Sequence, residues 1–406
     1  MKKISFIHAA DLHLDSPMIG LKHLPENIFN RVKESTFTAL KKLTGTAIER
    51  QVDFVIIAGD IFDGEDRSLR AQARFRKEML KLNDEKIPVY IVHGNHDHLN
   101  GSWVHLDMPE NVHVFGSKVE KMELITKSGT KVHLYGFSYG TRHIFERKID
   151  EYNKIEGADY HIGILHGNES SGTDHDNYAP FTVKDLVQKN FDYWALGHIH
   201  KRSELSLNPP IIYPGNIQGR NKKEPGSKGF YHVVFTDGDA AMDYIEASDI
   251  IWEELTVNAE TAVNFDDLFH LCQIAINELR RERNGTLLTL RLKNTQLADM
   301  REQKSIDNEL LELLLEDESE EESFVWVADL KFNEKLPFDK EKVKTEANFY
   351  GELFEVIDHF DQTEQALAPL YEHPLARKYL PHLETAEKDE LLRKTEKLII
   401  ELLYQA

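Results

Sequence analysis

Short apolar runs punctuate the chain, and most end against a polar cluster. Residues 4–9, 53–58, 88–93, 131–138, 160–165, 192–196 and 229–235 are rich in β-branched, aromatic and aliphatic residues and read as strands. Between several of them the apolar spacing becomes helical. Phe29, Val32, Phe37, Leu40, Leu43 and Ile48 predict a helix over 27–50, and Leu69, Ala73, Phe75, Met79, Leu80 and Leu82 predict one over 67–84. This alternation predicts α/β layering with mostly parallel or mixed sheets. In such folds ligands gather at the carboxyl ends of strands.

The pattern changes near residue 248. Residues 251–258, 286–293 and 323–332 read as strands, and 264–283 and 304–316 as helices, which suggests a small α+β cap. The acidic run from Glu316 to Glu322 reads as a solvated loop or a frayed helix end. Residues 346–360 and 385–404 read as further helices, the last with a broad stripe of Leu391, Leu392, Leu398, Ile399, Leu402 and Leu403. Three regions follow: 1–248, a cap over 249–335, and a helical region over 336–406.

Composition narrows the class. The chain has 406 residues, 41% of them apolar, enough for more than one core. Its one cysteine, Cys272, excludes an internal disulfide and a thiolate zinc cluster, and it fits a reducing, cytoplasmic setting. The first residues, Met1 to Ile7, are similar to a signal-peptide start, but the apolar stretch is too short and Asp11 and His13 interrupt it. No apolar run approaches the about 20 residues of a membrane span. A net charge of −21 argues at first against a nucleic-acid partner. The excess of acid lies mainly beyond residue 250, however, so the part before it is nearly neutral, and bound cations would move it towards positive.

The chemistry sits where the strands end. Asp11-x-His13, Gly59-Asp60, Gly94-Asn95-His96-Asp97, His166-Gly167 and Gly197-His198-x-His200 each lie beside or just after a strand. Phosphodiester hydrolysis needs a strong nucleophile, charge neutralisation and a proton for the leaving group, and two cations about 3.5–4 Å apart supply the first two. Asp60 is the candidate bridging carboxylate, with Gly59 clearing space beside it. Asp11 and His13 lie two apart, so in extended backbone they share a face, and His198 and His200 do likewise. Asn95 adds a neutral oxygen and His166 an imidazole. Nitrogen and oxygen ligands without thiolate suit manganese, iron or zinc, and suit calcium poorly. His96 is placed to contact the phosphate and protonate the leaving oxygen, and Asp97 to orient its ring.

Any one of these motifs alone would read as a turn or a surface feature. Five of them at successive strand ends point to a shared site. His8, His93, His133, His161 and His232 lie inside apolar strands and read as hydrogen-bonded core or edge residues. His98 and His175 lie in polar loops and carry no assignment.

These residues resemble those of the calcineurin-like metallophosphoesterase superfamily, and the resemblance covers residues 4–247. It implies a four-layer α/β sandwich with a binuclear metal centre. It further implies that Asp11, His13, Asp60 and His200 hold one metal, that Asp60, Asn95, His166 and His198 hold the other, and that His96 is the catalytic histidine. The opening from Ile7 to Pro17, the Gly59-Asp60-Ile61-Phe62-Asp63 segment, Tyr213-Pro214-Gly215-Asn216 and the following cap resemble DNA repair exonucleases of the SbcD kind, and among them the YhaO-type branch. Asp63 stands where eukaryotic and archaeal relatives carry a second histidine. The protein serine/threonine phosphatase branch is disfavoured, because Gly64 follows Asp63 and the carboxylate after His96 is Asp97.

Three functions compete at this stage. The first is a manganese-dependent DNA nuclease working with an SMC-like coiled-coil ATPase. The second is a small-substrate phosphodiesterase or pyrophosphohydrolase. The third is a metal-poor scaffold, which the intact ligand set argues against. Size and cap favour the first. Arg142, Lys201, Arg202, Arg220, Lys222, Lys223 and Lys228 are bases available for phosphate or ordinary surface charge. The resemblance also implies a homodimer through helices flanking the Gly94–Asp97 loop, here 67–84 and the segment with Leu99, Trp103 and Leu106. Trp103 and Leu106, three apart, would share a helix face. The resemblance places ATPase attachment on helices beyond the cap, of which 385–404 is the candidate.

Overall fold

A computed structural model shows how the strand ends are gathered. It describes residues 2–333 except 19, 20, 22, 23, 64–67, 102, 103, 171–177, 296–305, 317 and 319–321, then 349–360, 362–373 and part of 383–399. Met1–Asn333 and Glu334–Ala406 form two compact units.

The first unit is built on two six-stranded sheets. One contains β1 (Lys3–Ala9), β2 (Phe54–Ala58), β3 (Val89–Val92) and β4 (Val112–Val114) in parallel, with β11 (Gly229–Thr236) and β12 (Asp239–Glu246) added antiparallel on the β1 side. The other contains β6 (Lys131–Gly136), β7 (Tyr160–His166), β8 (Tyr193–Gly197) and β10 (Pro210–Tyr213) in parallel, edged by antiparallel β5 (Glu120–Ile125) and β9 (Ser203–Leu207). Strands β1, β2, β3, β6, β7, β8 and β11 are the apolar runs before residue 248 that the sequence pattern marks.

The sheets stack face to face. Phe6, Phe54, Ile56 and Tyr90 of the first meet Leu134, Ile162, Ile164 and Tyr193 of the second in one buried layer. The outer face of the first sheet is covered by α1 (Glu26–Glu49) and α2 (Leu69–Asp84), whose buried stripes include Val32, Phe37, Leu40, Leu43, Phe75, Met79 and Leu82. Ser68 starts α2 by accepting the Ala71 amide at 2.9 Å. The outer face of the second sheet is covered by the short α3 (Val183–Gln188) and by loops carrying Ile144, Tyr152 and Phe181. The result is a four-layer α/β sandwich with a thin fourth layer.

A third sheet of β13 (Ile250–Asn258), β14 (Gly285–Lys293) and β15 (Val325–Asn333) is parallel throughout. The intervening α4 (Phe265–Glu278) and α5 (Ile306–Glu316) pack on it through Leu268, Cys272, Ile276, Leu310 and Leu314. It is joined to the first body by an apolar seam, with Leu24, Ile28 and Val32 on one side and Ile250, Trp252, Leu287 and Phe324 on the other. Arg31 closes that seam, bonding Asp249 at 2.8 Å and the Glu322 and Arg283 carbonyls at 2.8 and 3.0 Å.

In the second unit, helices Phe349–Asp358 and Thr363–Glu372 are formed, the latter unpredicted. The helix expected over 385–404 lies largely outside the described residues, as do Trp103 and His175. The helix face expected for Trp103 and Leu106 is not formed among the described residues: 104–109 have no helix. Gln72 of α2 holds that segment extended, donating to the Val104 carbonyl at 2.8 Å and accepting the Leu106 amide at 3.1 Å. No described helix is long and apolar enough to cross a membrane.

Candidate metal centre

The five motifs meet at the carboxyl ends of β1, β2, β3, β7 and β8. The turns that bring them in are tight. Asp11, His13, Asp60 and His198 all have positive φ, at 52°, 41°, 49° and 98°. Each such non-glycine conformation costs about 1–3 kcal/mol and persists where surrounding structure enforces it. Here the enforcement is visible: the Asp11 amide donates to the Gly59 carbonyl and the His13 amide to the Asp60 carbonyl, both at 3.0 Å. Two glycines are required by close approach. A Cβ on Gly59 would lie 2.1 Å from His166 Nδ1, and one on Gly94 would lie 2.3 Å from Asp60 Oδ1.

Three groups of potential ligand atoms result: Asp11, His13 and His200; Asp11, Asp60 and His166; and His13, Asp63 and His96. Asp60 Oδ2 lies 3.4 Å from His166 Nε2 and 3.8 Å from His13 Nε2, so it stands between the two ends of the site. Asn95 Oδ1 is 3.1 Å from His166 Nε2. The His198 ring lies 5.2 Å from that of His166, and the His198 amide donates to Asp11 at 3.0 Å.

The tautomers make the case for cations. His13 Nδ1 faces Asp63 Oδ1 at 3.2 Å, and His200 Nδ1 faces Glu224 Oε1 at 2.8 Å. Each of those nitrogens therefore donates a proton, so in a neutral ring the lone pair is on Nε2. Yet the two Nε2 atoms lie only 3.1 Å apart. Two acceptors at that separation repel unless a cation lies against both, and metal–nitrogen bonds of about 2.0–2.1 Å are compatible with the spacing. His166 repeats the logic. Its Nδ1 donates to the Ala58 carbonyl at 2.9 Å, so Nε2 is the nitrogen turned towards the Asn95 and Asp60 oxygens. The donor set therefore fits a pair of divalent cations.

Burial sharpens the argument. Asp11 and Asp60 are 1% exposed, and isolated buried carboxylates cost several kcal/mol each. Burial pushes the Asp11 carboxyl up. It acts on Asp60 in the same sense, but His166 and His13 outweigh it and hold that carboxyl well below the usual range. Burial drives the His13 imidazole down to about 3, helped by Arg220, so His13 presents a neutral ring. For His166, burial is outweighed by Asp60 and Asp11, which lift it to about 9.

An outer ring of side chains supports these ligands. Asp63 accepts from His13, from Ser16 at 2.8 Å and from Arg220 at 3.3 Å. Glu224, which sequence reasoning missed, accepts from His200, from the Asn216 amide group at 2.8 Å and from Arg220 at 3.2 Å. Asn216 of the Tyr213–Asn216 motif grips Glu224, but nothing in the motif marks Glu224 itself. Tyr139 and Tyr213 donate to the His166 and Gly167 carbonyls at 2.9 and 2.6 Å.

His96 stands at the open side, its imidazole 34% exposed and its ring edge-on to His13 at 5.0 Å. The carboxylate beside that ring is Asp63, at 3.5 Å from Nδ1. Asp97, expected to orient His96, is fully buried and accepts from the Ile61 and Gly94 amides at 2.8 Å and from His93 at 3.0 Å. It ties the β2 and β3 loops together. His8, His133, His161 and His232 also have hydrogen-bond partners within the core or its edges. Of the bases singled out, Arg220 enters the site, whereas Arg202 lies over the Tyr244 ring at 4.2 Å, Lys222 pairs with Asp329, and Lys228 is buried.

Comparison with known proteins agrees with this geometry. Residues 4–202 match the model of the calcineurin-like phosphoesterase family. The chain is 42% identical over 397 residues to the metallophosphoesterase YhaO of Bacillus subtilis (strain 168), covering 96% of this chain and 95% of that protein. It is 27% identical over 305 residues to the DNA double-strand break repair protein Mre11 of Methanocaldococcus jannaschii, covering 71% of this chain and 76% of that one. The similarity to the Mre11 protein of Thermoplasma acidophilum is 27% over 257 residues, covering 59% and 65%.

Proposed function

The chain belongs to the calcineurin-like phosphoesterase family, and from that premise we propose that it is a DNA nuclease that hydrolyses phosphodiester bonds with two bound divalent cations, manganese by preference. The observation that carries the reading is the facing pair of His13 and His200 Nε2 atoms, 3.1 Å apart and beside the buried Asp60, a donor set suited to cations. The Mre11 relatives add the choice of DNA. Asp11, His13, Asp60 and His200 would hold one cation, and Asp60, Asn95, His166 and His198 the other. The cations supply charge neutralisation and an activated nucleophile.

The chain's own residues supply the rest. Asp60, between the two halves, sets their spacing. Asp63 and Glu224 fix which ring nitrogens of His13 and His200 face inward. His96, at the open side, donates a proton to the leaving oxygen. The same reading includes a cytoplasmic setting, a homodimer, and an SMC-like coiled-coil ATPase as partner.

Digestion of linear DNA with manganese, beside a small chromogenic phosphodiester, tests it. Nucleotide release that stops on chelation is the expected result. Turnover of the diester with the DNA left intact would instead establish a small-substrate phosphodiesterase.

A further inference from the structure

The proposed chemistry leaves one group of side chains beside the centre unused. Tyr178 lies edge-on to His198, ring centroids 5.3 Å apart. It is also nearly parallel to two further rings: His143 at 5.6 Å and 19°, and Phe145 at 5.9 Å and 20°. His143 and Phe145 are themselves 5.9 Å apart and within 12° of parallel. The three form a flat ledge that begins one ring away from a candidate metal ligand. Tyr178 is buried, His143 is exposed, and Phe145 is 62% exposed.

The ledge is held rigidly to the metal-binding segment. Asn168, two residues past His166, accepts the Tyr178 amide at 2.9 Å and donates its own amide to the Tyr178 carbonyl at 3.1 Å. The Ala179 amide donates to the Ile144 carbonyl at 2.7 Å, and Ile144 is buried in the core beside Phe145. The His143 ring nitrogen and the Tyr178 hydroxyl hydrogen-bond at 2.9 Å, which sets the ring planes. A single exposed Phe needs no explanation. Near-parallel rings fixed from behind, with His143 and Phe145 exposed, form a surface arranged for another flat, apolar face.

We propose that His143 and Phe145, braced by the buried Tyr178, form a stacking subsite for an unpaired nucleobase next to the scissile phosphate. The inference rests on the nuclease reading. A base within a duplex has both faces covered by its neighbours, so the ledge selects a frayed or single-stranded end. Stacking accepts every base, because each has a π face, so the subsite confers strand-end preference without sequence preference.

Steady-state cleavage of a single-stranded oligonucleotide, compared with strands abasic at either of the two terminal nucleotides, tests this with the full chain. The wild type should show a KM about tenfold lower for the intact strand, within the range for one base–aromatic stack. Phe145→Ala and Phe145→Leu should both lose that discrimination, through KM and not kcat, while Phe145→Trp keeps it. Metal content of each variant reports whether the centre has formed. Equal handling of intact and abasic strands by the wild type would overturn the subsite and leave the nuclease reading standing. So would discrimination retained in a metal-loaded Phe145→Leu, since leucine supplies apolar area without a flat face. If the wild type turns over the small diester and cleaves neither strand, the nuclease reading falls and the subsite falls with it.

Discussion

Glu224 aims His200. Its 2.8 Å hydrogen bond from Nδ1 turns Nε2 towards His13, and Asn216 and Arg220 hold the carboxylate in place. Removing such a partner of a metal-ligating histidine typically costs about 10–100-fold in metal affinity. Glu224→Ala should therefore weaken manganese binding by that order in a calorimetric titration. Glu224→Gln should lose less, since its amide oxygen still accepts from Nδ1. Wild-type affinity in both variants would reduce Glu224 to a surface salt-bridge role. A second contrast separates ligands from the proton donor. Asp60→Asn and His166→Ala should lose bound metal and activity together, whereas His96→Ala should keep its metal and lose most hydrolysis. Metal loss from His96→Ala in elemental analysis would make His96 a ligand. The candidate ligands were legible because each stands at the end of an apolar run. Glu224 was not, because it sits in the polar loop 214–226, where no periodicity marks one residue from the next.

At the scale of elements, burial on both faces decided what could be read. β2, β7 and β8 are buried at every position and stand out as continuous apolar runs. β5, β9 and β12 are edge strands with sequences such as Glu120–Ile125 and Asp239–Glu246, half polar and partly exposed, and no strand was expected there. The join between the third sheet and the core was equally hidden, since beside its apolar seam it uses a buried polar side chain. Gln218 accepts the Asp249 and Ile250 amides at 2.9 and 3.3 Å and donates to the Ile250 carbonyl at 2.6 Å. Trp252 adds a 3.1 Å bond from its indole nitrogen to the Gly219 carbonyl. Gln218→Leu leaves buried backbone groups without partners, at a cost of about 1–3 kcal/mol. The urea midpoint should fall accordingly with its slope unchanged. An unmoved midpoint would show that solvent replaces the glutamine at the seam.

At the scale of the molecule, the charge changes near residue 250 and the units divide after Asn333. The metal-binding body lies within Met1–Asn333, while the acidic excess lies mostly beyond residue 250. An acidic C-terminal third suits contact with protein better than with DNA. Glu334–Ala406 is a compact unit of its own, and none of the ligands or their supporting partners belongs to it. This favours using its terminal segment for the proposed ATPase. The apolar stripe of residues 385–404 fits capture in a helical groove or bundle, with Lys388, Arg393, Lys394 and Lys397 set between the apolar positions. Deleting residues 385–406 should leave metal content and cleavage of single-stranded DNA intact. It should abolish co-purification with the ATPase and any ATP-stimulated cleavage of duplex DNA. An insoluble product would show that the stripe packs within its own chain, as terminal helices often do when they are docked. A soluble product that still captures the ATPase would move the contact to residues 336–380.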